Sequence, residues 1–357
     1  MLLLFTMKII KKGWKNMDIR EERKYDHIKE SIKAYDDYKD FFGDIALIPL
    51  SSSISNLNKI DLNIKLYGKC LSAPLLINAM TGGAPGLEEY NESFALAAKN
   101  NNIALAVGSQ KAGIVNKELV KTYSVVRKVN PNGLIFANLS ALETIENMER
   151  SIDMIEADAI QLHINHGQEL SMSEGDRDFS LLLKNLEKAV NKIKIPVIAK
   201  EVGTGISKEA AKKFAEVGIE NFDIGGFGGT NFSYIEEQRQ NNQLPLLSEF
   251  GIPTPASILE VKSVIHKNSI IFASGGIRNS INIVKALVLG GDIVGIAAYF
   301  LKNYINSGSK VLSENIADII LEMRKIFVVL DFETLEDAKK GKYILKNEIK
   351  EWIDQRI

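Results

Sequence analysis

Cysteine is nearly absent: Cys70 is the single one in 357 residues. One thiol excludes an intrachain disulfide framework and a cysteine-built zinc site, and it suits a reducing cytoplasm. Excess charge of either sign is missing too, since 44 Lys and Arg stand against 45 Asp and Glu, a net charge of −1. Such a balance gives no long-range attraction to nucleic acid or anionic membrane, so an anionic ligand must be held by a local cluster. The apolar residues, 45% of the chain, nowhere collect into the ~20-residue run that a membrane span needs. At the N-terminus the apolar run Leu2 to Phe5 is far shorter than a signal-peptide core, and no small-residue cleavage site follows it. Residues 1–16 are therefore expected to be a disordered extension, with Met17 as the natural start. These absences predict a soluble protein that binds neither nucleic acid nor membrane.

What is present is a repeat. From Pro74 onward a short apolar run, a polar or Gly-rich loop and a helical stretch follow one another. The predicted strands are Leu75–Met80, Ile103–Gly108, Leu134–Ser140, Ala159–Asn165, Pro196–Val202, Asn221–Phe227, Ile270–Gly276 and Ile293–Ala298. Most are nearly continuous apolar runs, as parallel strands buried on both faces require. Amphipathic stretches such as Glu88–Asn100, Phe179–Ile193, Lys208–Val217 and Ile281–Leu289 lie between them. Eight such units predict an α/β protein with a (β/α)8 TIM barrel spanning residues 74–357, C-terminal helices included. An open doubly wound sheet is the alternative, but it usually has fewer strands, and its Gly-rich loop follows the first strand rather than the seventh and eighth.

Two segments stand outside the repeat. Residues 17–73 form an N-terminal arm expected to pack on the barrel, with a charged helical stretch (Glu21–Tyr38) and a Ser51-Ser52-Ser53 segment. The connection after the sixth strand, Gly228–Ser269, carries the rigid turn Gly251-Ile252-Pro253-Thr254-Pro255. A connection of that length in a barrel predicts an active-site cover.

Barrel enzymes build their sites at the C-terminal ends of the strands, and the unusual polar and glycine clusters fall there. They include Ala79-Met80-Thr81-Gly82-Gly83, Gly108-Ser109-Gln110-Lys111, Asn138-Leu139-Ser140 and His163-Ile164-Asn165-His166-Gly167-Gln168-Glu169. Lys200-Glu201, Gly228-Gly229-Thr230-Asn231 and Ser274-Gly275-Gly276-Ile277-Arg278 continue the series. Gly275 and Gly276 let backbone N–H groups approach an anion beside Arg278, which predicts a phosphate site. Lys200 interrupts an apolar run; burying an unpaired ammonium is costly, so it is expected to form a Schiff base or to donate to an electron-rich cofactor. Neighbours on a strand point to opposite faces, so Glu201 is not its partner. His163 and Asn165 are in phase and can face one side. A zinc site from His163, His166 and Glu169 is conceivable, but strand followed by loop lacks the helical spacing of zinc hydrolases. A single carboxylate, Glu169, assisting Mg2+ on a diphosphate fits better. Arg23-Lys24-Tyr25-Asp26-His27 reads by itself as a solvated charged helix face.

Taken together, Arg23-Lys24 with Asp26-His27-Ile28, AMTGG at Ala79, GSQ at Gly108, Ala137-Asn138-Leu139-Ser140, HINHGQE at His163, Ala199-Lys200-Glu201-Val202-Gly203, GGTN at Gly228 and SGGIR at Ser274 resemble the type 2 isopentenyl-diphosphate isomerases. The segments keep the family's order from Arg23 to Ala298. The resemblance implies FMN, Mg2+ and NADPH as the reductant of the flavin. It implies flavin contacts at Ala79, Met80, Thr81, Ser109, Asn138, Lys200, Thr230, Gly275, Gly276, Arg278, Ala297 and Ala298. It implies substrate contacts at Arg23, Lys24, His27, Ser109, Lys111 and Gln168, with Glu169 on the metal. Lys111 stands where the family usually carries Arg. Gln168, His163 and Asn165 form the implied catalytic set, with Gln168 and His163 positioning the substrate rather than carrying the proton. The reaction is the isomerisation of isopentenyl to dimethylallyl diphosphate without net redox change, and a homotetramer or homo-octamer is implied. An oxidoreductase of the hydroxy-acid oxidase or IMP dehydrogenase type would share the phosphate loops. It would need a His–Arg pair after the seventh strand or a catalytic cysteine at a strand end, and Cys70 precedes the first strand. A non-catalytic flavin-binding protein would have no use for a metal carboxylate and a basic arm.

Overall fold

Each predicted strand does pair, and the pairing closes on itself. In the computed structural model, which describes residues 19–34, 39–173, 175–239 and 246–357, eight parallel strands form a closed barrel. In chain order they are Leu75–Ile77, Ala104–Ala106, Ile135–Ser140, Ala159–Ile164, Val197–Glu201, Asn221–Asp223, Ile270–Ser274 and Ile293–Ile296. Several are shorter than the apolar runs that announce them. After Asp223, for example, the chain leaves the ladder through Gly225, whose φ of 49° belongs to a turn. The expected extension 1–16, the start at Met17 and the end of the stretch Glu21–Tyr38 (residues 35–38) lie outside the described residues.

Helices Glu88–Asn101, Lys121–Val129, Ile145–Ile155, Leu182–Lys192, Lys208–Glu216, Thr254–Lys262, Ser280–Leu289 and Ala298–Leu330 surround the barrel. Their apolar stripes and the outward-facing strand residues make one buried core. A second, separate cluster fills the interior: Leu76, Ala104, Ala106, Phe136, Ala159, Ile198, Phe272 and Ile293. These positions share one parity on each strand, and they form the apolar lower layers of the barrel.

The segment before the barrel acts at both ends. A hairpin of Ile64–Leu66 and Lys69–Leu71 turns through Tyr67 and Gly68, both at positive φ. Leu66 and Leu71 join the interior cluster. The Tyr67 ring lies 5.9 Å from that of Phe136, and its hydroxyl donates to Asn221 Oδ1 at 2.8 Å. The hairpin thus plugs the N-terminal end of the barrel. Helix Ile19–Ala34 packs against Phe232–Arg239, in the connection after the sixth strand, and against Ala298–Leu330. Phe232–Arg239 also packs on the short helix His166–Ser171, so these elements roof the C-terminal end. Among the described residues no helix is long and apolar enough to cross a membrane.

Candidate active site

Above the apolar layers the inward positions turn polar. Asn78, Asn138, Gln161, Lys200 and Ser274 continue the parity of the interior cluster one step toward the C-terminal ends, and Asp223 joins them two residues after Asn221. Parallel register sets Lys200 directly beside Asp223 on one side and beside His163 on the other. Lys200 Nζ donates to Asp223 Oδ2 at 2.9 Å, and Asn78 Nδ2 and Gln161 Nε2 donate to the same oxygen, each at 2.9 Å. The Ser274 hydroxyl donates to Asp223 Oδ1. Asn138 Nδ2 donates to Gln161 Oε1 at 3.0 Å, and His163 Nδ1 lies 3.0 Å from Asn138 Oδ1. Burial first, then the charges of Lys24 and Lys200, push the His163 pKa down to about 3, so its ring is neutral. Glu201, on the opposite face from Lys200, accepts from the N–H groups of Val202, Gly203 and Thr204 and shapes the loop that follows.

This layer is the floor of a cavity of about 660 Å³ at the C-terminal end of the barrel. Its walls include Ala79, Met80, Ser109, Asn138, Lys200 and Thr230, and further round Gly275, Gly276, Arg278, Ala297 and Ala298. Thr81 is not on the wall; its hydroxyl donates to the buried Asn91 at 2.7 Å. Gln110 is structural as well: its Oε1 accepts from Asn138 N at 3.0 Å and its Nε2 donates to Ser151 O at 2.8 Å.

Arg23, Lys24, His27, Lys111, His163 and Gln168 all reach the same cavity. The arm helix delivers the first three. Its Asp26 pairs with Arg239 at 3.1 Å, and His27 Nε2 lies 2.6 Å from Glu236 Oε1. Burial, then the neighbouring Arg23, lowers the Lys24 pKa to about 8. The stretch that reads alone as a solvated face is therefore partly buried over the site. Lys111 makes an ion pair with Glu143, a cavity residue the motifs do not single out. Asn165 Nδ2 donates to Glu169 Oε1 at 2.8 Å and to Gln168 Oε1 at 3.2 Å, and Asp176 N donates to Glu169 Oε2 at 2.9 Å. The His166 ring packs on Phe179 at 4.2 Å, and His163 is engaged by Asn138. Among the described residues no three His, Cys, Asp or Glu side chains form a metal cage, so His163, His166 and Glu169 do not make a zinc site.

The glycine loops form a cradle. A Cβ on Gly229 would meet the backbone nitrogen of Gly276 at 2.4 Å, and one on Gly276 would meet the carbonyl of Gly228 at 2.6 Å. The two loops touch main chain to main chain, which only glycine allows. Next to them begins helix Ala298–Leu330, whose N-cap, Ala297, has no side-chain cap. Its first N–H groups, the loop amides and Arg278 surround a space of the kind a phosphate takes in a barrel. The floor below is polar with one cation, and the mouth is basic. The donor set therefore fits a phosphorylated flavin with a second anionic group beyond it.

The sequence motifs missed Asp223, Gln161, Glu143 and Glu236. For the first two the signal was present: polar residues in phase with the inward positions of their strands, Gln161 between Ala159 and His163 and Asp223 two residues after Asn221.

Residues 116–343 match the FMN-dependent dehydrogenase family. Among solved structures, a mandelate oxidase superposes with a TM-score of 0.62 at 12% identity, covering 90% of this chain and 89% of that one. A lactate oxidase of Pediococcus acidilactici gives a TM-score of 0.64 at 15% identity over 90% and 87%. At such identities the likeness shows the fold. Curated relatives are far more similar. The isopentenyl-diphosphate delta-isomerase of Bacillus mycoides is 41% identical over 341 residues, 95% of this chain and 97% of that protein. That of Bacillus pumilus is 38% identical over 338 residues, 94% and 95% of the two chains. With the barrel, the flavin-type cradle and the basic mouth in one molecule, the chain belongs to the isopentenyl-diphosphate delta-isomerase family, within the FMN-dependent dehydrogenase fold.

Proposed function

We propose that this chain isomerises isopentenyl diphosphate to dimethylallyl diphosphate using reduced FMN, with Mg2+ on the diphosphate and NADPH as the source of electrons. The observation that carries the reading is the placement of a basic mouth above a glycine cradle and a Lys200-bearing floor in a single cavity. When bound, reduced FMN would supply an electron-rich ring face and a site for proton exchange, which a shift of a double bond needs. Lys200 faces the cavity from the floor and offers a fixed cation to an electron-rich ring. Arg23, Lys24 and Lys111 attract the diphosphate, and Gln168, His163 and Asn165 orient it under the roof. Glu169 would hold Mg2+ together with phosphate oxygens and water, as that ion prefers. Thr81 acts through its packing on Asn91 and not from the cavity wall. The oxidases share the fold at 12% and 15% identity, whereas the isomerases are 38% and 41% identical over nearly the whole chain; Cys70 is exposed in the hairpin before the first barrel strand and not at a C-terminal strand end. Family resemblance further supports a homotetramer or homo-octamer in the cytoplasm.

Proton NMR under anaerobic conditions tests this. The protein with FMN, Mg2+ and catalytic NADPH should convert isopentenyl diphosphate without consuming NADPH in proportion to product. Stoichiometric NADPH oxidation would overturn the reading. Glu169→Gln should retain FMN and lose Mg2+-dependent turnover, because a neutral amide is a poor Mg2+ ligand; an unchanged Mg2+ response would remove Glu169 from the metal.

A further inference from the structure

One charged group at the centre of the barrel has no role in the reaction described above. Asp223 is fully buried, lies beneath the cavity rather than on its wall, and accepts from Gln161, Lys200 and Ser274 on three other strands and from Asn78, just past the end of a fourth. A buried ion pair is a poor source of stability, since apolar residues of similar volume often do as well or better. Its presence needs another reason. Three of its donors, Asn78, Lys200 and Ser274, are themselves on the cavity wall.

The direction of the hydrogen bonds follows from chemistry. An ionised carboxylate only accepts. Gln161 must therefore turn Nε2 to Asp223, which leaves its Oε1 to accept from Asn138 Nδ2. Asn138 then turns Oδ1 to His163, and His163 must donate from Nδ1. One carboxylate sets the polarity of the whole chain.

We propose that Asp223 is a positioning residue, which pins the Lys200 ammonium at the floor and, through Gln161 and Asn138, holds the proton of His163 on Nδ1 and leaves Nε2 bare. The first half rests on the flavin reading; the second does not. A cation held in place favours an electron-rich ring more than a mobile one does, because no reorganisation is needed when charge develops. Asn in place of Asp223 cannot accept from all four donors, and its own amide N–H adds a fifth donor to the cluster.

The test is a double-variant cycle on the FMN-loaded protein, reading the preference for two-electron-reduced over oxidised FMN by equilibration with a reference dye. Asp223→Asn and Lys200→Met should each lower that preference roughly tenfold or more, the scale of one charge-assisted hydrogen bond. The double variant should fall no further than the larger single effect. Additive losses, or an Asp223→Asn protein that prefers reduced FMN more strongly, would overturn the proposal; the latter would mean that Asp223 acts as a plain negative charge. If Asp223→Asn does not fold, the unaltered protein still decides. Its four histidines are resolved by 15N NMR, and His163 is identified by its loss in His163→Gln. A proton on Nδ1 is the expected result, and one on Nε2 overturns the proposal. If the unaltered protein binds no FMN, the flavin reading fails by itself, and the tautomer measurement still tests Asp223.

Discussion

Lys111 shows how much one contact changes the meaning of a side chain. It stands at the mouth in an ion pair with Glu143, whose other oxygen accepts from Asn147 Nδ2 at 2.7 Å. An incoming diphosphate must compete with Glu143 for the ammonium, which meets it as a point charge rather than as a planar fork. Lys111→Ala should therefore cost about 1.5–3 kcal/mol in apparent substrate affinity, with FMN binding little changed. Glu143→Gln should act in the opposite sense, releasing the lysine and lowering KM. Steady-state kinetics on both variants checks this, and an unchanged KM in both would make Lys111 a solvated loop residue. The motif locates Lys111 but says nothing of Glu143, which lies 32 residues further on. Asp223 was legible in part. Its parity with Asn221 marks it as inward-facing, yet only the register between strands sets it beside Lys200.

At the scale of elements, the arm helix turns from a charged stretch into part of the site. Arg239 ties it down by donating to Asp26 at 3.1 Å, and within its own helix it donates at 2.6 Å to Glu236, which faces His27 of the arm. The buried face carries Lys24, whose lowered pKa of about 8 has a consequence for pH. Below that value the empty site holds Lys24 charged; as pH rises through it the charge is lost, and with it attraction for the diphosphate. The profile of kcat/KM should therefore bend down above about pH 8. Lys24→Arg, which stays charged over that range, should remove the bend, and a bend that survives the substitution would assign it to another group. Local sequence could not reveal this, because a helix of mean polar character looks solvated until the roof it packs under is known. The sixth connection is the counterpart: its length predicts a cover, and Phe232–Arg239 meets the arm over the cavity.

For the whole molecule, chemistry and closure are placed at opposite ends of the barrel. The cavity opens at the C-terminal ends of the strands, while the Ile64–Leu71 hairpin seals the other end and buries the Tyr67 hydroxyl against Asn221. Tyr67→Phe should remove that bond and leave Asn221 Oδ1 short of a donor, costing about 1–3 kcal/mol of stability. kcat and KM should stay unchanged, because no site residue is touched. Denaturant unfolding beside kinetics separates the two effects, and a change in kcat without loss of stability would contradict the division of labour. The sequence by itself determined the eight-unit barrel, the glycine cradle and the family, because these depend on periodicity, turn chemistry and short motifs read within one strand and its loop. The tertiary structure alone decided the partners: Lys200 with Asp223, Lys111 with Glu143, His27 with Glu236, and the hairpin in the barrel floor. Such pairs join residues from 23 to 209 positions apart. Their meeting depends on inter-strand register and on barrel closure, which no local pattern encodes.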